Sequence, residues 1–118
     1  GIPCSTLVAN LLDIDLIIAK DNKEVGINEF IEETFIPKGS ATRKTLYVPK
    51  TSIRKKDSIL IIDDVVRSGE TVQALVDLVR NQRADIAGIY VLVTVGDDWK
   101  DYLGNIISKY SFEVLIEI

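Results

Sequence analysis

In residues 58–79, SILIIDDVVRSGETVQALVDLV, the spacing of the apolar side chains changes halfway along the segment. This change constrains the fold more than any other feature of the sequence. The run 59–62 is continuously apolar, as in strands buried on both faces. After a polar turn at 67–71, apolar side chains recur every three or four residues, which places them on one face of a helix. They are Val72, Leu75, Val76 and Val79. A buried strand that leads through a short turn into an amphipathic helix predicts an α/β fold.

The same alternation continues along the chain. Strand patterns occur at residues 16–19, 45–48, 86–95 and 112–118, with an extended segment at 28–36. Helical spacing occurs at residues 7–12 and 99–110. Strands that alternate with helices predict a mainly parallel sheet flanked by helices. The length of 118 residues fits a single domain.

Composition excludes several classes of protein. The chain contains no histidine, which rules out Ser-His and Cys-His catalysis and most transition-metal sites. Its one cysteine, Cys4, cannot form an internal disulfide, and no run approaches the roughly 18 apolar residues of a membrane span. A net charge of −4 argues against nucleic-acid binding by this chain itself. We therefore expect a cytoplasmic protein with no membrane partner.

Two acids, Asp63 and Asp64, directly follow the apolar run 59–62. Ligands of open α/β sheets bind beyond the carboxyl ends of the strands. Because burying unpaired charge is costly, two carboxylates at this end are not expected to face an apolar interior. They suit ribose hydroxyls, or Mg²⁺ bound directly or through water.

The turn after the acids has small or hydroxyl side chains, Ser68, Gly69 and Thr71, and it opens the predicted helix. Free N–H groups and the helix dipole make such a start a phosphate site. Acids for a sugar or metal beside a phosphate site describe a ribose 5-phosphate site. A strand, an acidic turn and a glycine at a helix start also occur without any ligand, so a purely structural role stays open.

Paired acids after an apolar strand also occur in receiver domains of response regulators. Such a domain has its acid pair near its start, then a phosphoacceptor aspartate at a later strand end, then a lysine. Here the later strand ends in Thr94-Val95-Gly96-Asp97, and little chain follows. The receiver interpretation is therefore rejected.

The segment ILIIDDVVRSGET resembles the signature of type I phosphoribosyltransferases, which bind 5-phosphoribosyl-1-pyrophosphate (PRPP). The resemblance covers nearly the whole chain, including GIPCSTLVANLLDIDLIIAKDNK, PKGSATRKTLYVPKTSIRKKD and ADIAGIYVLVTV. Within the family it is closest to xanthine and adenine phosphoribosyltransferases. It is closer still to the phosphoribosyltransferase-like domain of the bacterial purine-operon repressor, in KDNK and the Gly-Ser-x-x-Arg loop.

The resemblance implies a role for each matched residue. Asp63 and Asp64 would be catalytic, holding the ribose hydroxyls and Mg²⁺. Residues 67–71, here called the phosphate cradle, would bind the 5-phosphate through Arg67, Ser68, Gly69, Glu70 and Thr71. Val65 and Val66, the base-side residues, would lie against the nucleobase or the ribose. Lys20 would lie near the pyrophosphate, and residues 37–44, the flexible loop, would close over the reacting centre with Ser40, Thr42, Arg43 and Lys44.

Three departures from the family pattern are visible. The family's preceding strand and most of its pyrophosphate loop are missing before Gly1, so we expect a chain truncated at its N-terminus, without the first strand and hood. The flexible loop lacks the glutamate of adenine phosphoribosyltransferases. Position 70 is Glu where many members have glycine, and we expect this side chain to point to solvent.

The implied activity is transfer of ribose 5-phosphate from PRPP to a nucleobase, with a purine-like base favoured, Mg²⁺ as cofactor and pyrophosphate released. A homodimer is expected from the family. The first alternative is a catalytically silent PRPP sensor in a transcriptional regulator, which would bind DNA through a separate upstream domain. The second is a phosphosugar-binding domain with no further role.

Overall fold

The computed structural model describes residues 15–118 together with Leu7, Asn10 and Leu12. These three residues are helical, in agreement with the helix predicted for 7–12. The other positions of that helix, and Cys4, lie outside the described residues. Within the described part of the chain, every helix is too short or too polar to span a membrane.

From residue 15 onward the chain forms five strands and three helices. The strands are β1 Phe30–Phe35, β2 Lys44–Pro49, β3 Ser58–Val66, β4 Asp85–Thr94 and β5 Phe112–Glu117. The helices are α1 Glu70–Asn81, α2 Asp98–Tyr102 and α3 Gly104–Lys109.

Strands β3, β4 and β5 form a parallel sheet in that order. Ile61 of β3 lies opposite Ile89 of β4, which lies opposite Phe112 of β5. Parallel neighbours require a crossover, and α1 and the α2–α3 pair supply the two connections. The prediction of a parallel α/β sheet flanked by helices is confirmed for this part of the chain.

Strands β1 and β2 form a separate antiparallel hairpin, whose tip is the flexible loop. Among residues 15–29, Lys20 forms a bridge to this hairpin: the Lys20 N–H donates to the Tyr47 carbonyl at 3.0 Å, and the Tyr47 N–H donates to the Lys20 carbonyl at 2.7 Å. The strand predicted at 16–19 is wrong, because residues 15–19 pair with no strand and Lys20 alone forms an isolated bridge. An apolar run becomes a strand only where another strand pairs with it.

The core lies between α1 and the parallel sheet. Val72, Val76 and Val79 of α1 are buried, as their helical spacing predicts. On the sheet, Ile61 is buried, whereas its neighbours in the apolar run 59–62 are only partly buried. The apolar pattern predicts burial of this run on both faces of the sheet. In the described structure only Ile61 of the run is buried, so that expectation is met in part.

The helix predicted over 99–110 is divided at Leu103 into α2 and α3. The Leu103 N–H still donates to the Trp99 carbonyl at 2.8 Å, and the Ile107 N–H donates to the Leu103 carbonyl at 2.9 Å. Because helical bonding continues across the break, the apolar spacing stays in phase. Leu103 and Ile106 are buried, and Trp99 stacks on Phe112 with ring centroids 5.7 Å apart.

Candidate functional site

Asp63 and Asp64 lie within β3, near its carboxyl end. The apolar pattern predicts that they lie just beyond the strand. Parallel pairing with β4 nevertheless continues through Asp63, which lies opposite Val91, as far as Val66, which lies opposite Thr94. This is a correction to the strand boundary: the apolar run ends at residue 62, whereas main-chain pairing depends on β4 and not on side-chain polarity. The two acids still lie at the edge of the sheet where ligands bind in α/β folds.

A cavity of about 1060 Å³ opens beside β3, and Asp63, Asp64 and Thr71 all line it. Asp63 and Asp64 come from the strand, and Thr71 comes from the first turn of α1. The structure thus brings both acids and one residue of the phosphate cradle to one opening. Apolar side chains of β3 and α1, among them Ile61 and Leu75, form part of its wall.

The two carboxylates have different surroundings. Burial raises the pKa of Asp63 to about 6, and the charge of neighbouring Asp64 acts in the same direction. Asp64 accepts a hydrogen bond from the Val65 N–H to its Oδ1 at 2.9 Å. A partly buried acid beside a second acid is a common arrangement at sites that bind a cation or a hydroxyl group.

The donor set of this pair fits Mg²⁺, which prefers carboxylate oxygens and usually keeps water or phosphate oxygens in its shell. Among the described residues, no cluster of three or more acidic, cysteine or histidine side chains could hold a metal without help. A cation at Asp63 and Asp64 would therefore take its remaining oxygens from a ligand or from water.

The phosphate cradle is a tight turn that ends at the start of α1. Gly69 is the N-cap of α1 and has φ +98°, a conformation that suits glycine. Glycine has no side chain to cap the helix, and the Glu70 carboxylate already accepts its own main-chain N–H, so an anion in the cradle would compete with that carboxylate for a donor. Ser68 is partly exposed, and Arg67 and Thr71 are exposed.

Glu70 does not point freely to solvent, which corrects the expectation from sequence. Its Oε1 accepts the Lys38 N–H at 2.7 Å, and its Oε2 accepts the Ser68 hydroxyl. Burial alone would raise the pKa of Glu70, but the bonds from Ser68 and Lys38 and the Lys38 charge hold that pKa below its ordinary value. The carboxylate therefore lies between the cradle and the flexible loop as an anion.

The predicted flexible-loop residues lie between β1 and β2 or, for Lys44, at the first position of β2. Ser40 Oγ accepts the Thr42 N–H at 3.1 Å, which shapes the turn, and Arg43 is exposed. Lys44 begins β2, and together with Lys20 it lines a second cavity of about 500 Å³. Lys20 also forms a 2.9 Å ion pair with Glu24. The structure thus gathers two of the predicted cations around one opening.

The two residues predicted for the base side differ in access. Val65 is 45% exposed, whereas Val66 is 3% exposed and belongs to the core. Alternation along β3 turns these neighbours to opposite faces. Of the two valines predicted to contact the nucleobase or ribose, Val65 is therefore the accessible one, since the Val66 side chain faces away from solvent.

Lys38 and Asp98 were not identified from sequence. The Lys38 ammonium lies 2.6 Å from Asp98 Oδ2, at the start of α2, while the Lys38 N–H bonds to Glu70. These partners are separated by 60 and 32 residues. No local spacing in the sequence indicates such a contact.

The model of the family described as "Phosphoribosyl transferase domain" matches residues 1–111. The purine biosynthesis transcriptional repressor PurR of Bacillus subtilis is 28% identical over 93 residues, which are 79% of this chain and 33% of the repressor. Xanthine phosphoribosyltransferase of Clostridium acetobutylicum is 34% identical over 96 residues, which are 79% of this chain and 50% of that enzyme. The chain thus spans between a third and a half of these relatives.

A solved structure of adenine phosphoribosyltransferase from Trypanosoma brucei, in complex with AMP, pyrophosphate and ribose-5-phosphate, has the same fold. Its TM-score is 0.79 at 21% identity, and the superposition covers 99% of this chain and 52% of that one. The fold predicted from the resemblance, that of type I phosphoribosyltransferases, is confirmed. With nearly its full length matched by the family model, the chain belongs to the phosphoribosyl transferase domain family.

Proposed function

We propose that this chain binds PRPP with Mg²⁺ and transfers ribose 5-phosphate to a purine-like nucleobase, with release of pyrophosphate. The observation that carries the proposal is that Asp63, Asp64 and Thr71 line one cavity, at the start of the helix capped by Gly69. In this proposal the carboxylates are the oxygen acceptors for a sugar and cation, and the start of the helix supplies the N–H donors for a phosphate. Membership of the family supports the same chemistry.

In this proposal Asp63 and Asp64 accept hydrogen bonds from the ribose hydroxyls. They would also hold Mg²⁺ together with ligand oxygens, and the ion would supply positive charge to the departing pyrophosphate. The 5-phosphate binds the N–H groups of the cradle, assisted by the hydroxyls of Ser68 and Thr71 and by the charge of Arg67.

The reaction forms a bond between a ring nitrogen of the base and C1 of ribose, and it breaks the bond from C1 to pyrophosphate. The leaving pyrophosphate carries away the bonding electron pair, and the nitrogen loses its proton to solvent. Because positive charge develops on the ribose, the protein's tasks are to stabilise pyrophosphate and to keep water out. Lys20 and Lys44, which line one cavity, and the exposed Arg43 are the cations proposed for the first task.

The preference for a purine-like base rests on the relatives. The enzymes among them are named for xanthine and adenine, and the regulator is named for purine biosynthesis. In the described residues, Val65 is the exposed apolar side chain next to the two acids, and it offers a surface for a planar ring.

The deciding experiment is phosphorus NMR of PRPP mixed with Mg²⁺, the protein at its full natural length, and each of a panel of purine and pyrimidine bases. We expect the 5-phosphate resonance to shift on binding, and free pyrophosphate to appear with one purine. An unchanged 5-phosphate resonance at saturating protein would overturn the proposal.

A second candidate is a PRPP sensor without transferase activity. It is favoured by the likeness to the Bacillus subtilis repressor and by the flexible loop, which lacks the glutamate of adenine phosphoribosyltransferases. In the same experiment a sensor would shift the 5-phosphate resonance while PRPP persists with every base. This candidate also requires a basic DNA-binding domain encoded upstream, and a short hood at that place would count against it.

A further inference from the structure

The Glu70 carboxylate joins the phosphate cradle to the flexible loop. One oxygen accepts the Ser68 hydroxyl within the cradle, and the other accepts the Lys38 N–H at 2.7 Å. The Lys38 ammonium in turn bonds to Asp98 at 2.6 Å. Three segments far apart in sequence therefore meet at one carboxylate and one lysine. In this arrangement the first turn of the flexible loop is fastened to the cradle.

These bonds compete with a bound phosphate. A serine hydroxyl has one proton to donate, so Ser68 cannot donate to Glu70 and to a phosphate at the same time. A phosphate in the cradle would also repel the neighbouring carboxylate, and this repulsion is stronger in a partly buried site than in water. Either the phosphate binds with a penalty, or the Glu70 side chain leaves.

We propose that Glu70 is a latch: a phosphate that enters the cradle takes over the Ser68 hydroxyl, displaces the Glu70 carboxylate and thereby releases Lys38, and with it the flexible loop, from the cradle. The latch holds the loop beside the cradle while the cradle is empty. Occupation by a 5-phosphate frees the loop to move towards the reacting centre. This inference rests on the proposed function, because it requires that the cradle bind a phosphorylated sugar.

Asp98 gives the latch a second, separable part. The Asp98 carboxylate bonds only to the Lys38 side chain among the contacts described, and Lys38 reaches Glu70 through its N–H. Removing the Asp98 carboxylate therefore loosens the loop without adding or removing charge inside the cradle. Removing the Glu70 carboxylate loosens the loop and also removes a negative charge from the cradle.

The test compares wild type with Glu70→Ala, Glu70→Gln and Asp98→Ala in the full-length protein, with ribose 5-phosphate as the probe. Calorimetry measures its affinity without Mg²⁺, and the rate of tryptic cleavage at Arg43 reports loop release. Because Glu70→Ala removes both the carboxylate that competes for the Ser68 hydroxyl and the bond to the Lys38 N–H, we expect it to bind the probe roughly tenfold more tightly and its free form to be cleaved roughly tenfold faster. Asp98→Ala should be cleaved faster and, because loop release and phosphate binding are linked, should bind the probe more tightly by a similar or smaller factor.

Glu70→Gln keeps an acceptor of similar shape but removes the charge, so it should give intermediate values in both measurements. The control is Glu113→Ala, which removes an exposed acid of β5 far along the chain from either loop. If Glu70→Ala and Glu70→Gln match wild type in both affinity and cleavage while ribose 5-phosphate binds, the latch is wrong and the proposed function stands. If ribose 5-phosphate binds no variant, the proposed function fails and the latch fails with it.

Discussion

Gly69 of the phosphate cradle lies directly against Leu103 at the junction of α2 and α3. A Cβ atom added to Gly69 would be 2.8 Å from Leu103 Cγ, and Leu103 is 0% exposed. The cradle therefore takes its shape from two constraints at once, the left-handed backbone of Gly69 and a buried leucine behind it. This second constraint comes from a residue more than thirty positions away.

Gly69→Ala should therefore lower the free energy of unfolding by about 3 kcal/mol, from the left-handed backbone and the crowding of Leu103 together. Gly39→Ala is the matched control, because Gly39 has φ +79° and open space around its Cβ position. It should lose only about 1 kcal/mol. Urea denaturation measures both, and equal losses would show that Leu103 imposes no constraint.

Asp63→Asn combined with Asp64→Asn should abolish Mg²⁺-dependent PRPP binding, with a loss of at least about 100-fold, because both acceptors of ribose and cation lose their charge. Calorimetry with Mg²⁺ and PRPP measures the loss. Circular dichroism should show an intact fold. Asp101→Asn with Glu113→Gln, two exposed acids, controls for the change in net charge. An unfolded double variant would instead mean that the acids are structural.

The raised pKa of Asp63 predicts a pH dependence of stability. Its folded pKa is about 6 against an ordinary value of 3.8, so the folded protein holds this proton more tightly than the unfolded chain. The stabilisation is complete below pH 3.8 and is lost as the pH rises through about 6. Relative to Asp63→Asn, the unfolding free energy of the metal-free protein should fall by roughly 3 kcal/mol across that window. Parallel pH curves for the two proteins would contradict it.

Thr94→Val should stabilise the protein. Thr94 is 0% exposed, and no described residue forms a hydrogen bond with its hydroxyl, so the isosteric change removes a buried polar atom that lacks compensation. We expect a gain of about 1 kcal/mol by urea denaturation. Thr45→Val is the control, because the Thr45 hydroxyl lies 2.8 Å from that of Thr34 and its loss brings no such gain. A destabilised Thr94→Val protein would show that the hydroxyl has a partner.

Much of the parallel sheet and of the site follows from sequence because local patterns determine it. The apolar run 59–62 and the repeat of Val72, Val76 and Val79 predicted β3 and α1, and the acids and cradle lie between them. The strand predicted at 16–19 failed because strand formation depends on a partner that the local pattern does not contain.

The orientation of Glu70 could not be predicted for the same physical reason. Its carboxylate is held by Lys38, which is 32 residues away along the chain and adjacent only in the folded hairpin. The burial of Val66 beside an exposed Val65 is the opposite case, since strand alternation alone predicts that only one of them is accessible.

The hairpin β1–β2 and the sheet β3–β4–β5 are separate hydrogen-bond ladders in the described structure. The Asn81–Glu33 contact and the burial of Val48 in the core shared with α1 and β3 connect the hairpin to the rest of the described chain, but these contacts do not enforce joint opening as a shared ladder would. Opening the hairpin would therefore leave the main-chain bonds around Asp63 intact. In amide hydrogen exchange this would appear as two tiers of protection, with the hairpin exchanging through sub-global opening and the parallel sheet only through complete unfolding.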